Sequence, residues 1–278
     1  MRPALSTRLP GRRAFITGGG SGLGLALATL LARDGWTLGV LDRDAARLAP
    51  AAAALSAAGA AGVEVYAADV SDESAFRTAV AAFAASAGGL ELMVNNAGVA
   101  AAGAIDASPA ADWRWALDIN VVGVAIGCRA ALPWMRRARA GVVLNIASAA
   151  AFACPAEGGV YNAAKAAVVA LSETLAQELH GTGVSVTVAM PGFFPTRLLE
   201  SARAPGEALA LARQMMRRTR YTAEHAAADL LAACARGELY AVVPAPYRRL
   251  WQFKRLLPRL ALHWMATQRT RSRARSGH

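Results

Sequence analysis

Two hydrophobic rhythms alternate along the first 245 residues. Short apolar, β-branched-rich runs fall at 12–17, 37–41, 63–67, 91–94, 141–146, 184–190 and 238–243 and read as strands. Between them, alanine-rich stretches at 22–33, 44–58, 72–86, 111–138, 159–180 and 222–235 have helical length and composition, with Asp44, Asp72 and Thr222 placed to cap three of them. Strands alternating with helices from one end to the other predict an α/β fold, a doubly wound parallel sheet of seven strands with helices on both faces. The stretch 193–221 is an insertion after the sixth strand, at a carboxyl end, where such sheets place ligands. No linker or repeat divides residues 1–245, which read as one domain, and 246–278 follow as an extension.

Composition narrows the function classes. A chain of 278 residues, 55% of them hydrophobic, can bury one substantial core. The amino-terminal MRPALSTRLPGRR lacks the apolar region of a secretory signal. Gly, Pro, Glu or Asp interrupt the low-polarity stretches before they reach the roughly 18 residues of a bilayer span. Cys128, Cys154 and Cys234 are odd in number and widely spaced, so neither a disulfide framework nor a zinc site is expected, and a reducing, cytoplasmic setting fits. His180, His225, His263 and His278 share no metal-ligand spacing, and no catalytic metal is expected. The net charge of +11 belongs mostly to the extension: residues 246–278 hold nine of the 30 Lys and Arg and none of the 19 Asp and Glu, leaving 21 basic against 19 acidic side chains elsewhere. No nucleic-acid-binding module accompanies this basic tail, so nucleic acid is not an expected partner. Lys165 and Lys254 are the only lysines, which singles out both.

Two motifs carry chemistry. Thr17-Gly18-Gly19-Gly20-Ser21-Gly22-Leu23-Gly24 follows a strand and opens a helix. There, glycine permits φ > 0 and lets backbone N–H groups and the positive helix end approach a pyrophosphate. Tyr161 and Lys165 are four residues apart on a helix, so both project from one face. A nearby ammonium favours the phenolate and is expected to lower the phenol pKa from its usual value of about 10, making Tyr161 a usable acid–base group. Taken alone, the first motif is as well explained by a flexible loop and the second by a surface pair.

Asn95-Asn96-Ala97-Gly98, Ser148, Tyr161-Asn162-Ala163-Ala164-Lys165 and Pro191-Gly192 with Thr196 follow the glycine motif in order. Together with it they resemble the successive signatures of the short-chain dehydrogenase/reductase family, over about residues 12–245. The resemblance implies a Rossmann-type sheet, bound NAD(H) or NADP(H), and a homodimer or homotetramer built on the two long central helices. It implies catalysis by Ser148, Tyr161, Lys165 and Asn120, with Ser148 bonding the substrate oxygen. Lys165 would also bond the nicotinamide ribose, and Asn120 would hold a water that links Lys165 to solvent. For the dinucleotide it implies contacts from Gly18, Ser21, Gly22, Leu23, Gly24, Asp69, Val70, Asn96, Ala97, Gly98, Tyr161, Lys165, Pro191, Gly192, Phe194 and Thr196. Asp42 closes the second strand eighteen residues beyond Gly24, where a carboxylate accepts from ribose hydroxyls and repels a 2′-phosphate. NAD is therefore expected, with NADP as the alternative that Arg43 leaves open.

The variable pocket is expected from 99–106, 149–160 and 193–221. Phe152, Phe193, Phe194, Leu198, Leu199, Met215 and Met216 suit a small hydrophobic alcohol or ketone, while Arg197, Arg203 and Arg213 are available to a carboxylate. In the extension, Leu250, Phe253, Leu257, Leu260 and Trp264 recur at helical spacing, with Arg248, Arg249, Lys254, Arg255 and Arg259 on other faces and an interruption at Pro258. Such a segment either packs over the cleft or a neighbouring subunit, or lies peripherally on an anionic membrane. Residues 269–278 are expected to be disordered. The alternative to a hydride-transferring enzyme is a dinucleotide-sensing or membrane-associated scaffold.

Overall fold

The computed structural model describes residues 5–217 and 219–276. The seven predicted strands are β1 (Arg13–Thr17), β2 (Thr37–Asp42), β3 (Gly62–Ala67), β4 (Leu92–Asn95), β5 (Gly141–Ile146), β6 (Val184–Pro191) and β7 (Tyr240–Val243). They form one sheet in the order β3-β2-β1-β4-β5-β6-β7, parallel throughout. The order reverses between β1 and β4, which opens a crevice at their carboxyl ends.

The helices are α1 (Leu5–Arg8), α2 (Gly22–Arg33), α3 (Ala45–Ala57), α4 (Glu73–Ser86), α5 (Ala110–Leu117), α6 (Gly123–Ala138), α7 (Ala150–Ala153), α8 (Gly159–Glu178), α9 (Gly206–Arg217), α10 (Ala223–Arg236), α11 (Ala245–Leu256) and α12 (Pro258–Ser276). Asp44, Asp72 and Thr222 cap α3, α4 and α10 as their sequence positions suggest, each accepting from a first-turn backbone N–H. The two faces of the sheet bury separate cores. Leu27, Leu31, Trp36 and Leu230 lie in the one under α2 and α10, and Phe15, Phe76, Phe83 and Val168 in the one under α4, α6 and α8.

Three expectations change. The stretch 111–138 is not one uniform helix: residues Asp118–Val122 form a π-helical turn between α5 and α6. By length and composition Ala110–Ala138 is also apolar enough to cross a membrane, but half of that window is buried inside the fold, as befits a core helix. Disorder from 269 gives way to helix through Ser276, in keeping with the Arg- and Ala-containing sequence there; Gly277 and His278 lie outside the described residues.

Candidate active site

The turns leaving β1 and β4 are tied together at the crevice. Thr17 Oγ1 accepts from the backbone N–H groups of Asn96 and Ala97, both at 3.0 Å. The Asn96 side-chain amide donates to the carbonyls of Thr17 (2.9 Å) and Gly18 (3.1 Å). Gly18 and Gly22 have φ of +61° and +55°, a region that costs other residues strain. A side chain at Gly24 would fall on the Gly18 carbonyl. Ser21 opens α2 without a side-chain cap, and Leu23 is buried in the first turn. The first N–H groups of α2 are thus left for an anion, and a pyrophosphate fits them.

Asp42 is buried at the end of β2 and accepts from the backbone N–H groups of Gly20 (3.1 Å) and Asp44 (3.0 Å). Arg43 faces solvent. Arg47, which the sequence reading missed, reaches the same place: it donates to Ser21 Oγ at 3.3 Å and pairs with Asp44 (2.7 Å) and Glu200 (3.6 Å). Asp69 accepts from the Ser71 backbone N–H and hydroxyl (2.9 and 2.7 Å), and Val70 is buried close to Gly123 of α6.

Further along the crevice, Ser148 leaves β5, Tyr161 and Lys165 lie one turn apart on α8, and Asn120 sits in the π-helical turn. Ser148 Oγ accepts from the Ala150 N–H at 3.1 Å and neighbours the Tyr161 phenol. Lys165 is buried, donates to the Ile146 carbonyl at 2.9 Å, and stands 5.7 Å from the Tyr161 ring centroid. Asn120 is fully buried; its Oδ1 accepts from Val99 N–H at 3.1 Å and its Nδ2 donates to Val99 O at 3.0 Å. A Cβ added to Gly98 would lie 2.7 Å from Asn120 Oδ1 and 3.3 Å from Lys165 Nζ. The NNAG loop, Asn120 and Lys165 therefore converge at one point that only glycine fits.

Here the electrostatic expectation is corrected. The phenol of Tyr161 is not lowered: burial pushes it up to about 12, although the neighbouring Ser148 opposes the rise. Burial also brings Lys165 down to about 8. The cause is geometric, since the ammonium lies over the ring and bonds a backbone carbonyl, while desolvation disfavours the charged form of each group.

Residues 12–206 match the family model for the short chain dehydrogenases. The chain belongs to this family. It is an NAD(P)-dependent oxidoreductase. Among curated proteins it is 34% identical over 188 residues to 2-(S)-hydroxypropyl-CoM dehydrogenase 3 of Xanthobacter autotrophicus, covering 68% of this chain and 73% of that one. It is also 34% identical over 203 residues to the rhamnolipids biosynthesis 3-oxoacyl-[acyl-carrier-protein] reductase of Pseudomonas aeruginosa, covering 71% and 78%. Among solved structures, a short-chain dehydrogenase/reductase from Burkholderia phymatum in complex with NAD is 33% identical with a TM-score of 0.83, covering 90% of this chain and 95% of that one.

In this dehydrogenase the three segments expected to shape the pocket do meet. Ala101 bridges to Arg203 and Gly103 to Gly158, so residues 99–106 touch both of the others. Arg203 pairs with Asp112 at 2.9 Å and lies 4.0 Å over the Trp115 ring, and Arg197 pairs with Glu200 at 3.3 Å. Both arginines thus brace the insertion. Arg213 and Met216, with Thr196 and Leu199, line a groove of about 370 Å³ within the insertion; the Met215 side chain lies outside the described residues. Phe152 is buried in the core, and Phe194 turns its ring inward against Tyr221, 6.4 Å away, so only its backbone is left for the cleft. Thr196 caps the short 3₁₀ turn Arg197–Leu199, accepting from Leu198 N–H at 3.2 Å.

The extension also reaches the site. The Tyr247 ring occupies the space a side chain on Gly192 would need, beside Pro191 at the end of β6, and its hydroxyl accepts from Phe193 N–H at 3.4 Å. Lys254 Nζ donates to the carbonyl of Phe152 and lies 3.7 Å from Cys154 Sγ. The rarity of lysine was the one sequence signal that could have placed Lys254 here. Packing of the extension over the cleft is therefore the half of the earlier alternative that α11 fulfils. Among the described residues no cluster of His, Cys, Asp or Glu could hold a metal.

Proposed function

We propose that this dehydrogenase interconverts a small hydrophobic secondary alcohol and its ketone, with NAD preferred over NADP. The observation that carries the reading is the convergence of Ser148, Tyr161 and Lys165 beside the glycine-lined crevice. The glycine loop, Asp42, the NNAG loop and Lys165 would hold a dinucleotide, which would supply or accept the hydride. In oxidation Tyr161 takes the hydroxyl proton, and in reduction it returns a proton to the developing alkoxide. Ser148 holds that oxygen from a fixed donor position, which favours the transition state. Lys165, with Asn120 at the same point, passes the proton to solvent.

Asp42 favours NAD, because its carboxylate stands at the ribose end of the crevice and Arg47 beside it already pairs with Asp44 and Glu200. The NAD-bound relative supports the preference for NAD, and the curated relatives whose names include 2-(S)- and 2-(R)-hydroxypropyl-CoM dehydrogenase support a secondary alcohol chemistry. The apolar side chains of the insertion support a hydrophobic substrate. The test is a panel of secondary alcohols and ketones, assayed by the absorbance of reduced nicotinamide with NAD and NADP in parallel. Turnover of apolar members with NAD is expected; turnover with NADP alone, or none across the panel, would contradict the reading.

A further inference from the structure

Helices α11 and α12 form a hairpin that turns at Leu257, whose φ of −133° and ψ of 67° break the helix before Pro258. The inner side of α11 is occupied: Tyr247, Leu250 and Trp251 pack on the core, and Lys254 holds the Phe152 carbonyl. The turn is not covered. Among the described residues eight large apolar side chains are exposed, and five of them, Leu256, Leu257, Leu260, Leu262 and Trp264, fall within nine consecutive positions. Leu256 is 79% exposed and Leu260 60%. Such a concentration marks an interaction surface, whereas scattered single exposures do not.

Charge decides what covers it. Arg259 stands among the exposed leucines, while Arg255 stacks on the Tyr240 and Trp251 rings; Arg269, Arg271, Arg273 and Arg275 follow in the sequence, and residues 246–278 contain no Asp or Glu. A second copy presenting the same face would set two uniformly basic segments together with no carboxylate between them. An anionic bilayer offers both an apolar interior for the leucines and negative headgroups for the arginines, with Trp264 suited to the interface.

We propose that the 256–264 turn docks this protein on anionic lipid. Because α11 is fixed to the loops after β5 and β6 through Lys254 and Tyr247, docking holds the substrate side of the cleft beside the bilayer. The test is co-sedimentation of the full chain with phosphatidylcholine vesicles with and without phosphatidylglycerol, alongside the triple variant Leu256→Ser, Leu257→Ser, Leu260→Ser. Wild type should bind the anionic vesicles at least about tenfold more tightly than the neutral ones, and the triple variant should lose about tenfold or more of that affinity. Dinucleotide-dependent turnover in the absence of lipid should be unchanged in the variant, which shows that the fold is intact and separates this proposal from the assignment of the active site. Equal binding of both proteins, or none to anionic vesicles, would overturn it. So would velocity sedimentation showing that the variant splits an oligomer that ignores vesicles, since the face would then join copies of the chain.

Discussion

The floor and the roof of the cleft are built differently. Beneath, Asn120, Ser148, Tyr161 and Lys165 stand on β5, α8 and the π-helical turn, and Asn120 and Lys165 are fixed by buried hydrogen bonds to backbone groups of Val99 and Ile146. Above, the insertion is held by surface ion pairs, Arg47 with Glu200 and Arg203 with Asp112, and by the single-residue bridge from Arg203 to Ala101. Exposed pairs contribute little each, while a buried polar group deprived of its partner is costly. The contrast teaches that the residues we propose for the chemistry stand on rigid parts and those we propose for the choice of substrate on adjustable ones.

Substitutions should separate the two. On the floor, Lys165→Ala should lower turnover by about 10²–10⁴-fold, measured as steady-state kcat; a loss of only a few-fold would move the proton chemistry elsewhere.

The pH profile sharpens the same point. With Lys165 brought down to about 8 and Tyr161 up to about 12, the pair sheds its first proton near pH 8. Oxidation needs the form that can accept a proton, so its kcat/KM should rise about tenfold per pH unit below 8 and level off above. Reduction needs the protonated form and should run the opposite way. A flat profile between pH 6 and 9, roughly the span over which one such ionisation is felt, would contradict the assignment.

At the proposed nucleotide end, Asp42→Ser removes the carboxylate assigned to the ribose and should shift the NADP-to-NAD ratio of kcat/KM by about tenfold toward NADP, a size typical of one charge interaction. An unchanged ratio would mean that Arg47 and its partners set the preference.

The smallest effect belongs to the roof. Arg203→Ala should raise KM by a few-fold, about 1 kcal/mol, with kcat nearly unchanged. A large fall in kcat would show that the insertion helps to order the floor.

The same division explains what the sequence revealed. Strands and long helices were legible because burial imposes their apolar periods, and Tyr161, Lys165, Ser148 and the glycine loop because their spacing is fixed by rigid elements. The π-helical turn at Asp118–Val122 was hidden, since composition alone does not distinguish it from the α-helix around it. Arg47 was hidden, and Lys254 was singled out without a legible partner, because each contact depends on elements far apart in sequence, Glu200 in one case and Phe152 in the other. The direction of the Tyr161 shift was misread because spacing gives proximity but not burial, and burial outweighs the opposing influence of Ser148.

The central claim is that Tyr161 carries the proton between substrate and protein. Replacing it with phenylalanine keeps the ring and deletes only the hydroxyl. The decisive measurement pairs turnover with dinucleotide binding, followed by fluorescence of the reduced nicotinamide, in Tyr161→Phe. Binding within about threefold of wild type with turnover lowered by about 10²-fold or more is the expected result; undiminished turnover would contradict it.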